Sequence, residues 1–184
     1  MALLAQKLCH ATAVSGYARS FELMLPTIAD NARRVTEYAA TLGIRTCTEN
    51  HGFIAQDSDR VEKLFNTVNH DNYGLLVDVG NFLCVDEDPI HAVSRVAPYA
   101  VHAHVKDFIY FDEAVEGRTI MTRGANYIAG TVIGEGAVPV KQCLKILKRA
   151  SYDGYVSVEY EGVEDCISGI SRGLANLKRF IAEI

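Results

Sequence analysis

No run of about eighteen apolar residues occurs anywhere in the chain, which excludes a spanning helix of ordinary length. The first residues, Met1 to His10, carry neither a basic leading segment nor a small-residue cleavage site, so the expectation is a soluble, cytoplasmic protein with no membrane partner. Basic charge is also short: 18 Lys and Arg stand against 23 Asp and Glu, a formal net charge of −5. A surface that neutralises a phosphate backbone needs clustered Lys and Arg, and nucleic acid is therefore excluded as the principal partner. Closely paired cysteines are missing as well. Cys9, Cys47, Cys84, Cys143 and Cys166 are scattered and odd in number, which reads as reduced, mostly buried thiols rather than a disulfide framework or a zinc ribbon. No Gly/Ser linker, low-complexity tract or repeat divides the chain, so residues 1–184 are expected to form one domain. What the chain has in quantity is apolar side chains, 49% of all residues, enough for an ordinary core without staples.

Helix-period segments repeatedly give way to short β-branched or apolar runs that close on polar residues, the grammar of a parallel α/β fold. The first helical segment covers about Leu25 to Thr41, with Ile28, Ala32, Val35, Ala39 and Leu42 at three- and four-residue steps and Gly43 as its stop. The strand Ile44–Thr48 then delivers Glu49-Asn50-His51-Gly52. Ser58 reads as the N-cap of a helix carrying Val61, Leu64, Phe65 and Val68, followed by an apolar strand from Gly74 to Val77 that ends in Asp78-Val79-Gly80-Asn81. Asp88-Pro89 starts a helix through Ile90, Val93 and Val96, and the strand Ala100–Val105 ends in Lys106-Asp107. Phe108 to Gly136 shows no clear period and is expected as an extended loop, a lid closing with Gly134-Glu135-Gly136, where the glycines read as a bend in preference to a phosphate cradle. Pro139 opens a helix with Val140, Cys143, Leu144 and Leu147 on one face, and the strand Tyr155–Val158 ends in Glu159-Tyr160-Glu161. The last helix, about Asp165 to Glu183, carries Ile167, Ile170, Leu174, Leu177 and Ile181. Tyr73, Tyr99, Tyr152 and Tyr155 are expected to pack.

In a parallel barrel the carboxyl ends of successive strands converge on one face. Here such ends offer Glu49, Asp78, a histidine and Glu159. Taken singly, each is more often a cap, a loop acceptor or a core histidine, and it is their joint occurrence that points to a site. Three carboxylates and one imidazole make a hard donor set that suits Mn²⁺, Mg²⁺ or Co²⁺, whereas structural zinc favours thiolates. His102 and His104 lie two apart on one strand and share a side, so the pattern leaves both open as the nitrogen ligand.

With Glu49-Asn50-His51-Gly52, Asp78-Val79-Gly80-Asn81, His102-Ala103-His104-Val105-Lys106-Asp107, Gly134-Glu135-Gly136 and Val158-Glu159-Tyr160-Glu161 in this order, the chain resembles the xylose-isomerase-like TIM-barrel superfamily. Within it, the sugar phosphate isomerase/epimerase branch is the most similar, from about Leu25 to the C-terminus. The resemblance implies an α/β fold of (β/α)8 TIM-barrel type, with only about the last four βα units evident, a partial or half barrel. In the ketose 3-epimerases of that superfamily a Glu, an Asp, a His and a second Glu hold one metal, and the matching positions are Glu49, Asp78, His104 and Glu159. His104 is chosen over His102 because the family ligand directly precedes the Val-Lys-Asp segment. The two glutamates, Glu49 and Glu159, are then the catalytic acid/base pair, and His51, Asn81, His102 and Lys106 are the substrate-binding candidates, Lys106 having a salt bridge to Asp107 as its alternative. Asn81 stands where those epimerases commonly carry a His, and Tyr110 where they carry an Arg.

The activity expected from the resemblance is a metal-dependent isomerase or epimerase of a small sugar or polyol-derived ketone, working by proton transfer through an enediolate. A dehydratase on the same scaffold and a non-catalytic half-barrel subunit are the alternatives. The zinc endonuclease branch is disfavoured by the scarcity of histidines and the acidic balance. An open half barrel exposes two parallel strand edges, so the expected protein partner is a second copy or a complementing N-terminal half.

Overall fold

The computed structural model describes residues 20–184; Cys9 and the Met1–His10 segment lie outside the described residues. Helix α1 (Phe21–Thr41) leads to β1 (Thr46–Glu49), α2 (Ser58–Val68) to β2 (Tyr73–Asp78), and α3 (Pro89–Val96) to β3 (Ala100–Val105). An antiparallel excursion, β4 (Asp107–Phe111), β5 (Ile120–Met121) and β6 (Tyr127–Thr131), precedes α4 (Val140–Arg149), β7 (Val156–Val158) and α5 (Cys166–Ala182). Among the described residues the main sheet is parallel in the order β1-β2-β3-β7, with β1 and β7 at its two edges, so four βα units of a barrel are present and the barrel is not closed. No helix among the described residues is long and apolar enough to cross a membrane.

Pairing fixes which side chains share a face. Glu49 lies beside Leu76, Asp78 beside His104, and His104 beside Ser157, so these residues point to the concave side together with Glu159 two residues further on. Leu75, Val77, Ala103 and Val105 point the other way, into the core beneath the helices. The alignment depends on an irregularity: Leu75 pairs with Ala100 and Leu76 with His102, leaving Val101 as an extra residue in β3. Val101 packs over Gly74, where an added Cβ would fall 2.3 Å from Val101 Cγ1.

The helices follow local chemistry with some corrections to the spacing. α1 starts earlier than Leu25, because Ser20 caps it by accepting the Leu23 N–H at 3.4 Å. Its buried stripe runs through Phe21, Leu25, Ile28, Ala29, Ala32, Thr36 and Ala39, leaving Val35 and Leu42 exposed. Asp57 and not Ser58 occupies the N-cap position of α2, without a side-chain cap bond, and the N–H and hydroxyl of Ser58 are drawn to the Glu87 carboxylate. Asp88 caps α3 as its Pro-led start predicts, accepting the His91 N–H at 2.8 Å. On α4 all four expected apolar residues are buried.

α5 differs. Of its five expected apolar positions only Leu177 is buried, while Ile167 is 78% exposed and Ile170, Leu174 and Ile181 are exposed too. The helix approaches the fold through Gly169, Gly173 and Leu177, and the spacing marks an amphipathic stripe that the described residues do not cover. Tyr155 is also not a packing residue, being 84% exposed, whereas Tyr73 is buried and Tyr99 and Tyr152 pack on the core. Cys84 and Cys143 are buried, Cys47 is half-buried and Cys166 is exposed.

The segment expected as an irregular loop is a small sheet in the order β4-β6-β5. It buries Phe108, Ile128, Ala129 and Ile133. Its β5–β6 turn is tied to Asp86, whose carboxylate accepts from Thr122 Oγ1 at 2.7 Å, Asn126 Nδ2 at 2.8 Å and the Gly124 N–H. Arg123 donates to Asp57 and to the Phe53 carbonyl, fastening the same turn to the loop after β1.

Candidate metal centre

Asp78 is the most constrained residue of the concave face. Its side chain is fully buried, and Oδ1 accepts the N–H groups of Gly80 at 2.8 Å and Asn81 at 3.1 Å. Asn50 mimics a further rung of the sheet by donating Nδ2 to the Asp78 carbonyl at 2.9 Å and accepting the Asp78 N–H on Oδ1 at 2.8 Å. Among the described residues Oδ2 has no hydrogen-bond partner although it is buried. A buried carboxylate oxygen left in that state is costly unless a cation meets it.

Ligand atoms of Glu49, Asp78, His104 and Glu159 lie within 4.8 Å of one another. His104 Nδ1 is 3.3 Å from Glu159 Oε2, 3.8 Å from Glu49 Oε1 and 4.0 Å from Asp78 Oδ2. Three carboxylates, one imidazole and an orphaned oxygen turned into the group fit a hard divalent ion. Lys106 stands at its edge, with Nζ 2.9 Å from Glu159 Oε2, 3.5 Å from Asp78 Oδ2 and 3.2 Å from Glu161 Oε1. Its alternative partner is thereby corrected: the three carboxylates are those of Asp78, Glu159 and Glu161, and not that of Asp107.

The proton affinities diverge within this group. Burial, opposed by Lys106, pushes the Asp78 carboxyl up to about 7. Burial and then the neighbouring Glu159 charge raise that of Glu49. The hydrogen bond from His104, and after it the Lys106 charge, hold Glu159 well below the usual carboxylate range. His104 is raised chiefly by the same bond to Glu159. Burial works against the Lys106 charge, but Asp78, Glu161 and Glu159 outweigh it and hold its pKa above the ordinary lysine value. The glutamates are thus unlike, one inclined to keep a proton and one held ionised.

The remaining sequence candidates divide. His102 shares the face, but its Nε2 is hydrogen-bonded to Ser157 Oγ at 2.9 Å and its ring meets His104 edge-on, outside the four-residue group. Asn81 is buried and its amide donates to Glu49 Oε1 at 3.3 Å, an orienting contact on a carboxylate. His51 is half-buried in the loop after β1, with a buried Nδ1 that has no hydrogen bond. Two residues escaped the sequence reading: Asn50, which locks β1 to β2, and Gln56, which accepts the Phe53 N–H at 2.7 Å and donates to the Asn81 carbonyl at 2.8 Å. Neither carries a residue-type signal of its own, since a buried amide bonding to backbone looks like any loop amide in sequence.

Gly134-Glu135-Gly136 has its amides committed elsewhere. Asp107 accepts the N–H groups of Phe108 at 2.9 Å, Gly134 at 2.8 Å, Gly136 at 3.0 Å and Val138 at 2.9 Å. At Gly136 an added Cβ would fall 2.3 Å from Asp107 Oδ1 and 2.5 Å from the Phe108 carbonyl oxygen, so the close approach requires glycine. The motif is a bend around a buried carboxylate.

The family model of the xylose isomerase-like TIM barrel matches residues 2–180. The chain belongs to the xylose isomerase-like TIM barrel family. Among curated proteins, an inosose dehydratase of Clostridium perfringens is 25% identical over 138 residues, 73% of this chain and 46% of the relative. The chain thus spans about half the length of the curated relatives it matches. Among solved structures, the IolI protein with a bound zinc atom superposes with a TM-score of 0.72 at 19% identity, covering 91% of this chain and 60% of that one. A D-psicose 3-epimerase from Clostridium cellulolyticum with D-tagatose gives a TM-score of 0.67 at 15% identity, covering 91% and 59%. At such identities the structural likeness establishes the fold alone.

Proposed function

We propose that this chain carries the metal-binding, acid–base part of an isomerase or epimerase that moves a proton beside the carbonyl of a small sugar or polyol-derived ketone. The observation that carries the reading is the pair Glu49 and Glu159, on one side of the sheet and in one four-residue group, with proton affinities displaced in opposite directions. Glu49, Asp78, His104 and Glu159 would hold a divalent ion, which would supply Lewis acidity toward substrate oxygens. Mn²⁺, Mg²⁺ and Co²⁺ match the oxygen-rich donor set, and the zinc of IolI makes Zn²⁺ the fourth ion to test.

Glu49, whose pKa is raised, is the better matched proton carrier, and Glu159, held ionised, serves as its counterpart. Asn81 orients Glu49 through its amide, while Asn50 holds the Asp78 strand end against β1. Lys106 and His51 are the proposed partners of substrate hydroxyls, and His102 steadies the neighbouring strand through Ser157. The open edges at β1 and β7 support closure of the barrel by a second copy or by an N-terminal half.

The test is exchange of the substrate's α-hydrogen with D₂O, followed by mass spectrometry on ketoses and inosose-type ketones, for the parent, Glu49→Gln and Glu159→Gln. Loss of exchange in either variant is expected, and parent-like exchange in both would sink the mechanism. A second reading, dehydration by the same proton abstraction, is favoured by the inosose dehydratase relatives. A product lighter by one water identifies it, whereas isomerisation and epimerisation conserve mass.

A further inference from the structure

Lys106 is 1% exposed, and its stem is pressed against Gly80, where an added Cβ would fall 2.5 Å from Lys106 Cγ. Only the end of the side chain has a choice of partners. Two of its three partner oxygens, Glu159 Oε2 and Asp78 Oδ2, are the same atoms that face His104 Nδ1 at 3.3 and 4.0 Å. The ammonium thus shares its oxygens with the candidate ligand set. Three carboxylates gathered in a mostly buried pocket without compensation would cost several kcal/mol, and Lys106 supplies a positive charge within 3.5 Å of two of them, Asp78 and Glu159. Its third partner, Glu161, lies outside the four-residue group and has a 44% exposed side chain.

We propose that Lys106 is an internal counter-cation that balances the site when no ion is bound, competes with a divalent ion for Asp78 and Glu159, and keeps Glu161 as its anion when an ion takes those oxygens. This rests on the reading of the four residues as a metal site. The lysine then sets metal affinity below the maximum these ligands allow, and in exchange holds the ion-free site together. Glu161 is a positioning residue that acts through Lys106.

The experiment is Mn²⁺ titration by calorimetry, paired with thermal melts with and without Mn²⁺, on the parent, Lys106→Met, Glu161→Gln, the double variant and Asp78→Ala. Removing one unit charge next to the ion is expected to tighten Mn²⁺ binding in Lys106→Met by about tenfold. The same variant should melt lower than the parent without metal and gain more from Mn²⁺. Glu161→Gln should weaken binding, and this effect should vanish in the Lys106→Met background, as a double-mutant cycle requires of a residue working through another. Weaker or unchanged Mn²⁺ affinity in Lys106→Met would make the lysine a scaffold for the ligands and overturn the proposal. An undiminished Glu161→Gln effect in the double variant would do the same for Glu161. If Lys106→Met does not fold, Lys106→Gln, which keeps a donor for Glu159, carries the same expectation. Absence of binding in the parent and in the Lys106 variants alike would overturn the metal site itself, an outcome distinct from binding that only Asp78→Ala abolishes.

Discussion

Asp78 and Asp107 are both buried, both follow a parallel strand of the main sheet or close it, and they have opposite fates. Asp107 spends both oxygens on four backbone N–H groups and organises the bend before α4. Asp78 spends one oxygen on two N–H groups and, among the described residues, leaves the other without a hydrogen bond, 3.5 Å from the Lys106 ammonium and facing the proposed ion. Burial of a carboxylate therefore says little about its role, and the decisive quantity is how many of its lone pairs the fold has already used. A structural aspartate is satisfied from within the chain, while a ligand aspartate is left partly unsatisfied until something binds.

The largest effect that sharpens this contrast is on stability. Asp107→Ala strands several buried N–H groups and is expected to cost about 4 kcal/mol in urea unfolding. Asp78→Asn keeps an acceptor for Gly80 and Asn81 and removes a buried charge, so in metal-free buffer at pH 8 it should be neutral or stabilising. Equal losses for the two would break the comparison. Next comes metal binding: Asp78→Ala should weaken Mn²⁺ affinity at least about a hundredfold, and a folded Asp107→Asn should stay within about threefold of the parent.

A smaller effect is the pH dependence. The Asp78 carboxyl is raised from 3.8 to about 7, so its contribution to the metal-free fold is complete below its ordinary pKa and is lost as pH rises through about 7. The advantage of Asp78→Asn over the parent should accordingly grow between pH 5 and 8, and Mn²⁺ binding near pH 6 should release a proton, read by calorimetry in buffers of different ionisation enthalpy. A flat difference would show that Asp78 is ionised throughout. The smallest expected change is Gly136→Ala, which presses on Asp107 and should cost about 2 kcal/mol with metal affinity unchanged.

Much of the site was legible because strand ends are readable from apolar runs: Ala100–Val105 is found as expected, and Asp78 closes β2 where its apolar run stops. The choice between His102 and His104 was not readable from alternation, since both share a face, and it turns on Ser157, a tertiary neighbour that engages His102. The antiparallel excursion was missed because no helix-period segment separates its strands, which removes the βα alternation that marked β1, β2, β3 and β7. The helix faces separate similarly. Spacing located the apolar stripe on both α4 and α5, but burial also requires a neighbour, which α4 has among the described residues and the stripe on α5 has not.

The unpaired Val101 in β3 acts on the sheet as a frameshift acts on a message. Were Leu76 to pair with Val101 directly, Asp78 would stand beside Ala103, and both histidines would turn toward the helices. The facing of His104, the proposed nitrogen ligand, thus depends on Val101 standing outside the ladder. Deleting Val101 would set Ala100 and His102 opposite Leu75 and Leu76 in unbroken register and leave both imidazoles on the concave face, whereas regular pairing of the intact strand would turn them away, so the proposed site depends on the step over Val101.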